Sequence, residues 1–165
     1  MLFTTEQSEL PLSGETPDNL TQNKSLPKKA LNNETQGKIL IVEDEPEPAE
    51  LLGRFLRNNG FETAVAGDGL SACRMINALR PDLILLDIML PELDGWEICR
   101  LIRKIPDRSL ATIPIIMISA LHTEENRAQG LQLGANDYIP KPYSLKVVLQ
   151  RSTRLIASHR AKQHQ

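Results

Sequence analysis

Short apolar runs alternate with longer segments of helical periodicity from Lys38 to the end of the chain. This alternation is typical of successive β–α units around a parallel sheet that is covered on both faces. Five strands are predicted, at residues 38–43, 61–66, 82–87, 113–119 and 137–140. The third and fourth are apolar almost throughout, as central strands should be. We therefore predict an α/β fold, a doubly wound five-stranded parallel sheet with helices on both faces.

The segments that separate and follow these strands have helical periodicity and helix boundary signals. Five helices are predicted, at residues 46–59, 69–79, 95–105, 123–133 and 144–161. Pro46 suits the first turn of the first helix, and Gly60 suits its end. The fourth helix contains Gly130, and a glycine inside a helix costs about 1 kcal/mol relative to alanine. We predict that the fourth helix is the weakest of the five.

The first 37 residues differ in composition from the rest of the chain. They contain no Val or Ile, three prolines and many small polar residues. Such a segment buries too little apolar surface to offset its chain entropy. We therefore predict a disordered N-terminal tail at residues 1–37, one folded domain at 38–161, a C-terminal tail at 162–165 and no second folded domain.

Composition and charge exclude several classes of protein. Among 165 residues, 41% are hydrophobic and 24% are charged, which excludes a wholly disordered chain. No apolar run approaches the roughly 18 residues that a membrane span requires, and no secretory signal is visible. The net charge of −2 gives no reason to expect a nucleic-acid partner. Cys73 and Cys99 lie in helical apolar patterns, so we expect free thiols and a cytoplasmic location.

Chemically related side chains stand where the predicted strands end. They are the carboxylates of Glu43, Asp44 and Asp87, the hydroxyl of Ser119 and the amine of Lys141. Parallel sheets bind ligands outside the carboxyl ends of their strands. Clustered carboxylates repel one another unless a cation joins them, and oxygen ligands favour a hard ion such as Mg²⁺. The amine and the hydroxyl are suited to hold an anionic phosphoryl group against an acidic nucleophile.

Four segments that carry these residues resemble a known family. KILIVEDEP, DLILLDIMLPELDGWE, IPIIMISA and GANDYIPKPY, in this order and spacing, resemble the receiver domain of two-component response regulators. The resemblance extends from Lys38 to the end of the last helix. It implies a flavodoxin-like strand order of 2-1-3-4-5, and we expect a stand-alone receiver without an output domain.

The resemblance also implies the roles of the acidic residues. Asp87 is the phosphoacceptor, which receives the group from a phosphohistidine. Asp44 and Asp87 bind Mg²⁺ directly, Glu43 supports the ion through water, and the backbone carbonyl of Met89 completes the ligands from the protein. Catalysis is then limited to the protein's own aspartyl phosphorylation and dephosphorylation.

Further roles follow from the same resemblance. Ser119, Lys141 and the backbone N–H of Ala120 bind the phosphoryl oxygens, and a cis bond before Pro142 aims the lysine into the site. Ser119 then moves toward the phosphoryl group, and Tyr138 rotates inward into the vacated space. This change reshapes the face formed by the fourth helix, the fifth strand and the last helix.

The partners implied are a sensor histidine kinase or a histidine phosphotransfer protein, and a downstream protein target. A weak symmetric dimer through the same face is left open, because Asn136 and Val147 depart from the pattern of regulators that dimerise there. Met89 and Leu121 are both apolar, so neither positions a hydrolytic water. We therefore expect a long-lived phosphoryl group.

Three alternative functions stay open at this point. A phosphohydrolase with an aspartyl-phosphate intermediate usually has a second acid two residues after the nucleophile, where Met89 stands. A nucleotide or flavin binder would carry a glycine-rich phosphate loop after a strand, and no such motif is present. A degenerate receiver that serves only as a binding module is disfavoured by the intact Asp44, Asp87, Ser119 and Lys141.

Overall fold

A computed structural model describes residues 34–165 of the chain. Its centre is one parallel sheet with the strand order β2-β1-β3-β4-β5, as predicted. The strands are β1 (Lys38–Val42), β2 (Glu62–Ala66), β3 (Leu83–Asp87), β4 (Ile115–Ser119) and β5 (Asp137–Pro140). All residues of β3 and β4 are buried, which confirms that these two strands lie at the centre of the sheet.

Six helices connect and follow the strands. They are α1 (Pro46–Asn58), α2 (Gly69–Leu79), α3 (Gly95–Arg103), α4 (Arg108–Ala111), α5 (Glu124–Gln132) and α6 (Leu145–Gln163). The single turn α4 is absent from the prediction, which placed a loop there. Asp107 caps this turn by accepting a hydrogen bond from the backbone N–H of Ser109 at 2.9 Å. The fourth and fifth predicted helices are therefore α5 and α6.

Two apolar layers cover the two faces of the sheet, because alternate residues of a strand point to opposite sides. Leu40 and Val42 of β1 face the layer formed by α2, α3 and α4. Ile39 and Ile41 face the layer formed by α1 and α6. This arrangement confirms the doubly wound α/β fold. No helix among residues 34–165 is long and apolar enough to cross a membrane.

The boundaries of the folded domain differ from the predicted ones at both ends. The predicted disordered tail lies outside the described residues up to position 33. Within the remaining part, the backbone N–H of Gln36 donates to the carbonyl of Gly60 at 2.9 Å, and Glu62 N–H donates to Gly37 at 2.9 Å. Residue 37 is thus attached to β2, and residue 36 to the turn that precedes it. At the other end α6 continues to Gln163 instead of ending at 161.

The helix α5 is attached to the domain differently from the others. Gly130 is its only buried residue, whereas α3 buries four residues. Both cysteines are free, with Cys99 on the buried face of α3 and Cys73 half-buried, and burial raises the pKa of both thiols. The prediction of free thiols is therefore confirmed.

Candidate functional site

The register of the sheet brings the candidate residues to one edge. Val42 pairs with Leu86, so Glu43 and Asp44 follow β1 beside the end of β3 at Asp87. Ser119 pairs with Pro140, and the backbone N–H of the next residue, Lys141, donates to the Ser119 carbonyl at 2.8 Å. The edge holds the carboxyl ends of all these strands, where parallel sheets bind ligands.

Three carboxylates gather at this edge. Glu43, Asp44 and Asp87 each offer one oxygen, and these oxygens lie within 4.8 Å of one another. Glu43 and Asp87 are buried, whereas Asp44 is exposed. Hard divalent cations such as Mg²⁺ prefer oxygen ligands and are held by one or two carboxylates together with water. The donor set therefore fits Mg²⁺, with Asp44 at its solvent-facing side.

The amine of Lys141 lies between the two buried carboxylates. Its Nζ is 2.8 Å from Asp87 Oδ2 and 2.9 Å from Glu43 Oε2. Partial burial acts to lower the pKa of Lys141, but the hydrogen bonds and charges of Asp87 and Glu43 outweigh it and raise that pKa. Burial raises the pKa of Glu43, and the charge of Asp87 adds to this effect, while Lys141 acts against it. The lysine is therefore a permanent cation at the site. The Lys141–Pro142 peptide bond is cis.

The backbone after β3 is folded tightly around Asp87. The N–H of Met89 donates to Asp87 Oδ1 at 3.0 Å, and the N–H of Gly95 donates to the carbonyl of Ile88 at 2.9 Å. A Cβ on Gly95 would lie 2.4 Å from the backbone oxygen of Asp87, far below any contact distance. Gly95 is thus needed for α3 to begin against the end of β3. Sequence reasoning missed this role, although the Asp-Gly pair before the helix was a signal.

A second missed residue, Tyr143, closes the apolar side of the site. With Leu52 and Ile118 it lines a small cavity that reaches Glu43 and Asp87. Burial raises the pKa of the Tyr143 phenol. An apolar floor under two carboxylates strengthens their interaction with a nearby cation, because the local dielectric constant is low. The only signal of this role in the sequence was the position of Tyr143 directly after the Lys-Pro pair.

Ser119 and Tyr138 lie behind the carboxylates, where they are both buried. The hydroxyl of Ser119 accepts a hydrogen bond from the N–H of Leu121 at 3.0 Å, and the Tyr138 hydroxyl donates to the Leu121 carbonyl. Burial raises the pKa of Tyr138. The ring of Tyr138 therefore points inward in this structure, and one loop residue connects it to Ser119.

The structure thus brings together Glu43, Asp44, Asp87 and Lys141 from the predicted set. The hydroxyl of Ser119 accepts a hydrogen bond within its own loop, from the N–H of Leu121. Ala120 directly follows β4, and Met89 follows β3 after one intervening residue, with its side chain 59% exposed. The metal-ligand role of the Met89 carbonyl and the phosphoryl-binding role of the Ala120 N–H stay predictions.

Comparison with known proteins agrees with this arrangement. The family described as "Response regulator receiver domain" matches residues 39–153. The DNA-binding response regulator MtrA of Mycolicibacterium smegmatis is 42% identical over 114 residues, which are 69% of this chain and 48% of that protein. Response regulator MprA of Mycobacterium ulcerans is 40% identical over 119 residues, which are 72% of this chain and 50% of that protein.

A solved structure is similar over the same region. The Francisella response regulator 1452 receiver domain has a TM-score of 0.70 and 33% identity, over 74% of this chain and 98% of its own. The chain spans about half the length of the curated relatives that it matches. The absence of an output domain therefore stays a prediction. Because the family match covers more than half of the chain and the fold agrees with it, the chain belongs to the response regulator receiver domain family.

Proposed function

We propose that Asp87 is the carboxylate that accepts a phosphoryl group from a phosphohistidine. The observation that carries this proposal is the ammonium of Lys141, which lies 2.8 Å from Asp87 Oδ2 at the carboxyl edge of the sheet. A carboxylate beside a fixed cation is suited to transfer of a dianionic group, because the cation offsets the charge that arrives. This chain belongs to the receiver domain family, whose members are partners of histidine kinases.

The transfer forms one bond and breaks another. An oxygen of Asp87 attacks phosphorus, the P–N bond of the phosphohistidine breaks, and its electron pair returns to the imidazole nitrogen. The product is an acyl phosphate on Asp87. Lys141 then exchanges its contact with the carboxylate for one with a phosphoryl oxygen. The backbone N–H of Met89 holds the other carboxylate oxygen, at 3.0 Å, and thereby orients the group for attack.

We assign Mg²⁺ as the cofactor on the chemistry of the donor set. Asp44 and Asp87 are the direct ligands in this proposal, with the Met89 carbonyl as the third ligand from the protein. A bound Mg²⁺ would neutralise charge on the phosphoryl oxygens. The role of the protein is to hold the three carboxylates within 4.8 Å of one another, which is unfavourable without a cation.

The proposed response to phosphorylation begins at Ser119. Its hydroxyl and the N–H of Ala120 would bind phosphoryl oxygens, and the bond from Leu121 N–H to Ser119 would be given up. Leu121 also accepts the hydrogen bond of Tyr138, so a change at Ser119 reaches that ring. Tyr138 lies against Gly130, the one buried residue of α5. We therefore propose α5, β5 and α6 as the surface that changes for a downstream protein.

The proposed phosphodonor is a sensor histidine kinase or a histidine phosphotransfer protein. Lys141 lines a groove whose apolar side is formed by Leu51, Pro142 and Leu145 and which also carries two glutamates. Leu51 is 58% exposed, which supports contact with a protein donor at this side of the site. The MtrA relative is named as DNA-binding, but about half of its length has no counterpart here. For this chain a nucleic-acid partner is not proposed, and a cytoplasmic location stays a prediction.

The test is intact-protein mass spectrometry after incubation with Mg²⁺ and acetyl phosphate. One added phosphoryl group is expected, and Asp87→Asn should abolish it because the amide is a poor nucleophile. Asp94→Asn is the matched control, because Asp94 is the exposed N-cap of α3 outside the carboxylate cluster. An adduct that persists in Asp87→Asn would assign the acceptor elsewhere. No adduct, together with no Mg²⁺ binding by calorimetry, would favour the degenerate binding module.

The lifetime of the phosphoryl group provides a second test. Met89 and Leu121 flank the site without a polar group that positions an attacking water. Replacing both, as Met89→Asn with Leu121→Glu, is expected to shorten the lifetime about tenfold. The decay is followed by the mass of the phosphorylated protein after removal of acetyl phosphate. Rapid decay that these substitutions leave unchanged would contradict the expectation.

A further inference from the structure

The two oxygens of Glu43 are both occupied by hydrogen-bond donors of the protein. Oε1 accepts from the backbone N–H of Glu45 at 3.1 Å, and Oε2 accepts from Lys141 Nζ at 2.9 Å. The Glu43 side chain is 8% exposed and the Lys141 side chain 26%. Glu43 is thus oriented by its own loop and directed at the lysine. Asp44, in contrast, is exposed next to it.

The contact between Glu43 and Lys141 joins two distant strands. Glu43 follows β1 and Lys141 follows β5, and β3 and β4 lie between them in the sheet. Three strand intervals separate β1 from β5, roughly 14 Å at ordinary strand spacing. Two long side chains, a glutamate and a lysine, meet across this distance over Asp87, which contacts the same ammonium at 2.8 Å.

An ammonium on a flexible four-carbon side chain has many orientations, and one carboxylate does not fix it. Asp87 is a poor anchor for the lysine during the reaction, because its oxygens are consumed or covered when the phosphoryl group arrives. Glu43 is the second anchor, and its other oxygen accepts from the N–H of Glu45 without contacting Asp87 through that bond. The lysine can therefore turn from Asp87 to the phosphoryl oxygens while it stays bound to Glu43.

We propose that Glu43 is a positioning residue for Lys141 and that this role outweighs its support of the metal ion. The inference rests on the proposed function, in which Lys141 binds the phosphoryl oxygens. Glu43 acts through the lysine and does not touch the phosphoryl group. Its length matters, because Asp at this position would be shorter by one carbon–carbon bond, about 1.5 Å.

A double-mutant cycle separates the two roles of Glu43. The probe is beryllofluoride, a tetrahedral mimic of the phosphoryl group, and its affinity is measured by calorimetry at saturating Mg²⁺. The cycle compares the unsubstituted protein, Glu43→Gln, Lys141→Met and the double variant. Mg²⁺ affinity without beryllofluoride is measured for each protein, and thermal unfolding by circular dichroism confirms that each is folded. The shorter Glu43→Asp is measured alongside as the test of reach.

If Glu43 positions the lysine, the effect of substituting Glu43 on beryllofluoride affinity must depend on the presence of Lys141. Glu43→Gln should weaken beryllofluoride binding about tenfold when Lys141 is present and less than about twofold in the Lys141→Met background. Glu43→Asp should weaken it at least about threefold, and the Mg²⁺ affinity of Glu43→Gln should change by less than about threefold.

Two results would overturn the inference while the proposed function stands. One is an equal loss of beryllofluoride affinity from Glu43→Gln in both backgrounds, and the other is a tenfold loss of Mg²⁺ affinity, which would make Glu43 a residue of the metal site. Failure of the unsubstituted protein to bind beryllofluoride or to accept a phosphoryl group from acetyl phosphate would overturn the proposed function itself, and the inference with it.

Discussion

Gly130 is the residue through which α5 rests on the rest of the domain. It is the only buried residue of that helix. A Cβ added to it would lie 2.9 Å from Met117 Sδ, 3.2 Å from Tyr138 Cδ2 and 3.3 Å from Trp96 Cζ3. The first distance requires that an atom move, and the other two are tighter than ordinary contacts. We therefore expect that Gly130→Ala destabilises the domain.

The magnitude follows from two opposing contributions. In an open helix position, alanine in place of glycine stabilises by about 1 kcal/mol. Insertion of a methyl group into a well-packed core costs about 1–3 kcal/mol. Met117 is fully buried on a central strand, so the displaced atoms have little free space. The net result should be a loss of about 1 kcal/mol in the free energy of unfolding, against the gain that helix propensity alone predicts.

Gly53 is a matched control because it is also a buried glycine inside a helix, α1. A Cβ there would first meet the guanidinium end of Arg57 at 3.0 Å, and every other neighbour is at 3.5 Å or more. A long flexible side chain moves at little cost, so Gly53→Ala should stabilise by up to about 1 kcal/mol. Urea unfolding followed by circular dichroism measures both variants. A Gly130→Ala protein as stable as Gly53→Ala would refute the reasoning.

Three further predictions concern stability. Asn136→Asp should raise the free energy of unfolding in urea by about 1 kcal/mol, because the half-buried guanidinium of Arg103 donates to Asn136 Oδ1 at 2.9 Å and would gain a charged acceptor. No gain, or an equal gain when the substitution is made in the Arg103→Gln background, would contradict this. Ser152→Ala should raise the midpoint of thermal unfolding by a few degrees, because the buried hydroxyl has no hydrogen-bond partner among residues 34–165; a lower midpoint would reveal a missed partner. The pKa of Asp107 is about 2 because of hydrogen bonds from the Ser109 side chain and a nearby guanidinium, so its stabilising effect is present above about pH 4 and is lost as the pH falls toward 2. Urea unfolding between these pH values should show a shallower loss of stability in Asp107→Asn, and equal slopes in both proteins would contradict the assignment.

The two helical layers around a parallel sheet were predictable because their signals are local, whereas the strand order was implied by the resemblance to receiver domains. Apolar runs such as that of β3 predict a strand buried on both faces. The one-turn helix α4 was missed because four residues carry no helical periodicity, and its signal is the single cap at Asp107. Attachment of Gln36 to Gly60 was missed for a related reason. A backbone hydrogen bond between distant segments can be formed by almost any residue type, so the sequence does not indicate it.

The identity of the site residues was predictable from the sequence, but the contacts among them were not. The end of each strand gives Glu43, Asp87 and Lys141 directly, because all parallel strands end at one edge. Which of them contact one another depends on side-chain length and on neighbours from other strands. The bridge from Lys141 to Glu43 spans 98 residues of sequence and was not predicted. Gly95 was also missed, because its necessity lies in the 2.4 Å that a Cβ would leave to the Asp87 backbone.

A contiguous set of contacts connects the carboxylate edge to α5. The Ser119 hydroxyl accepts from Leu121 N–H, and the Leu121 carbonyl accepts from Tyr138. The ring of Tyr138 in turn lies against Gly130, where an added Cβ would be 3.2 Å from Tyr138 Cδ2. Contiguity alone does not establish energetic coupling, which requires that a perturbation at one end change an equilibrium at the other. Gly130→Ala supplies that perturbation at the far end. If the path is coupled, beryllofluoride affinity at the carboxylates should change in Gly130→Ala and stay constant in Gly53→Ala, because only the first substitution crowds Met117 and Tyr138.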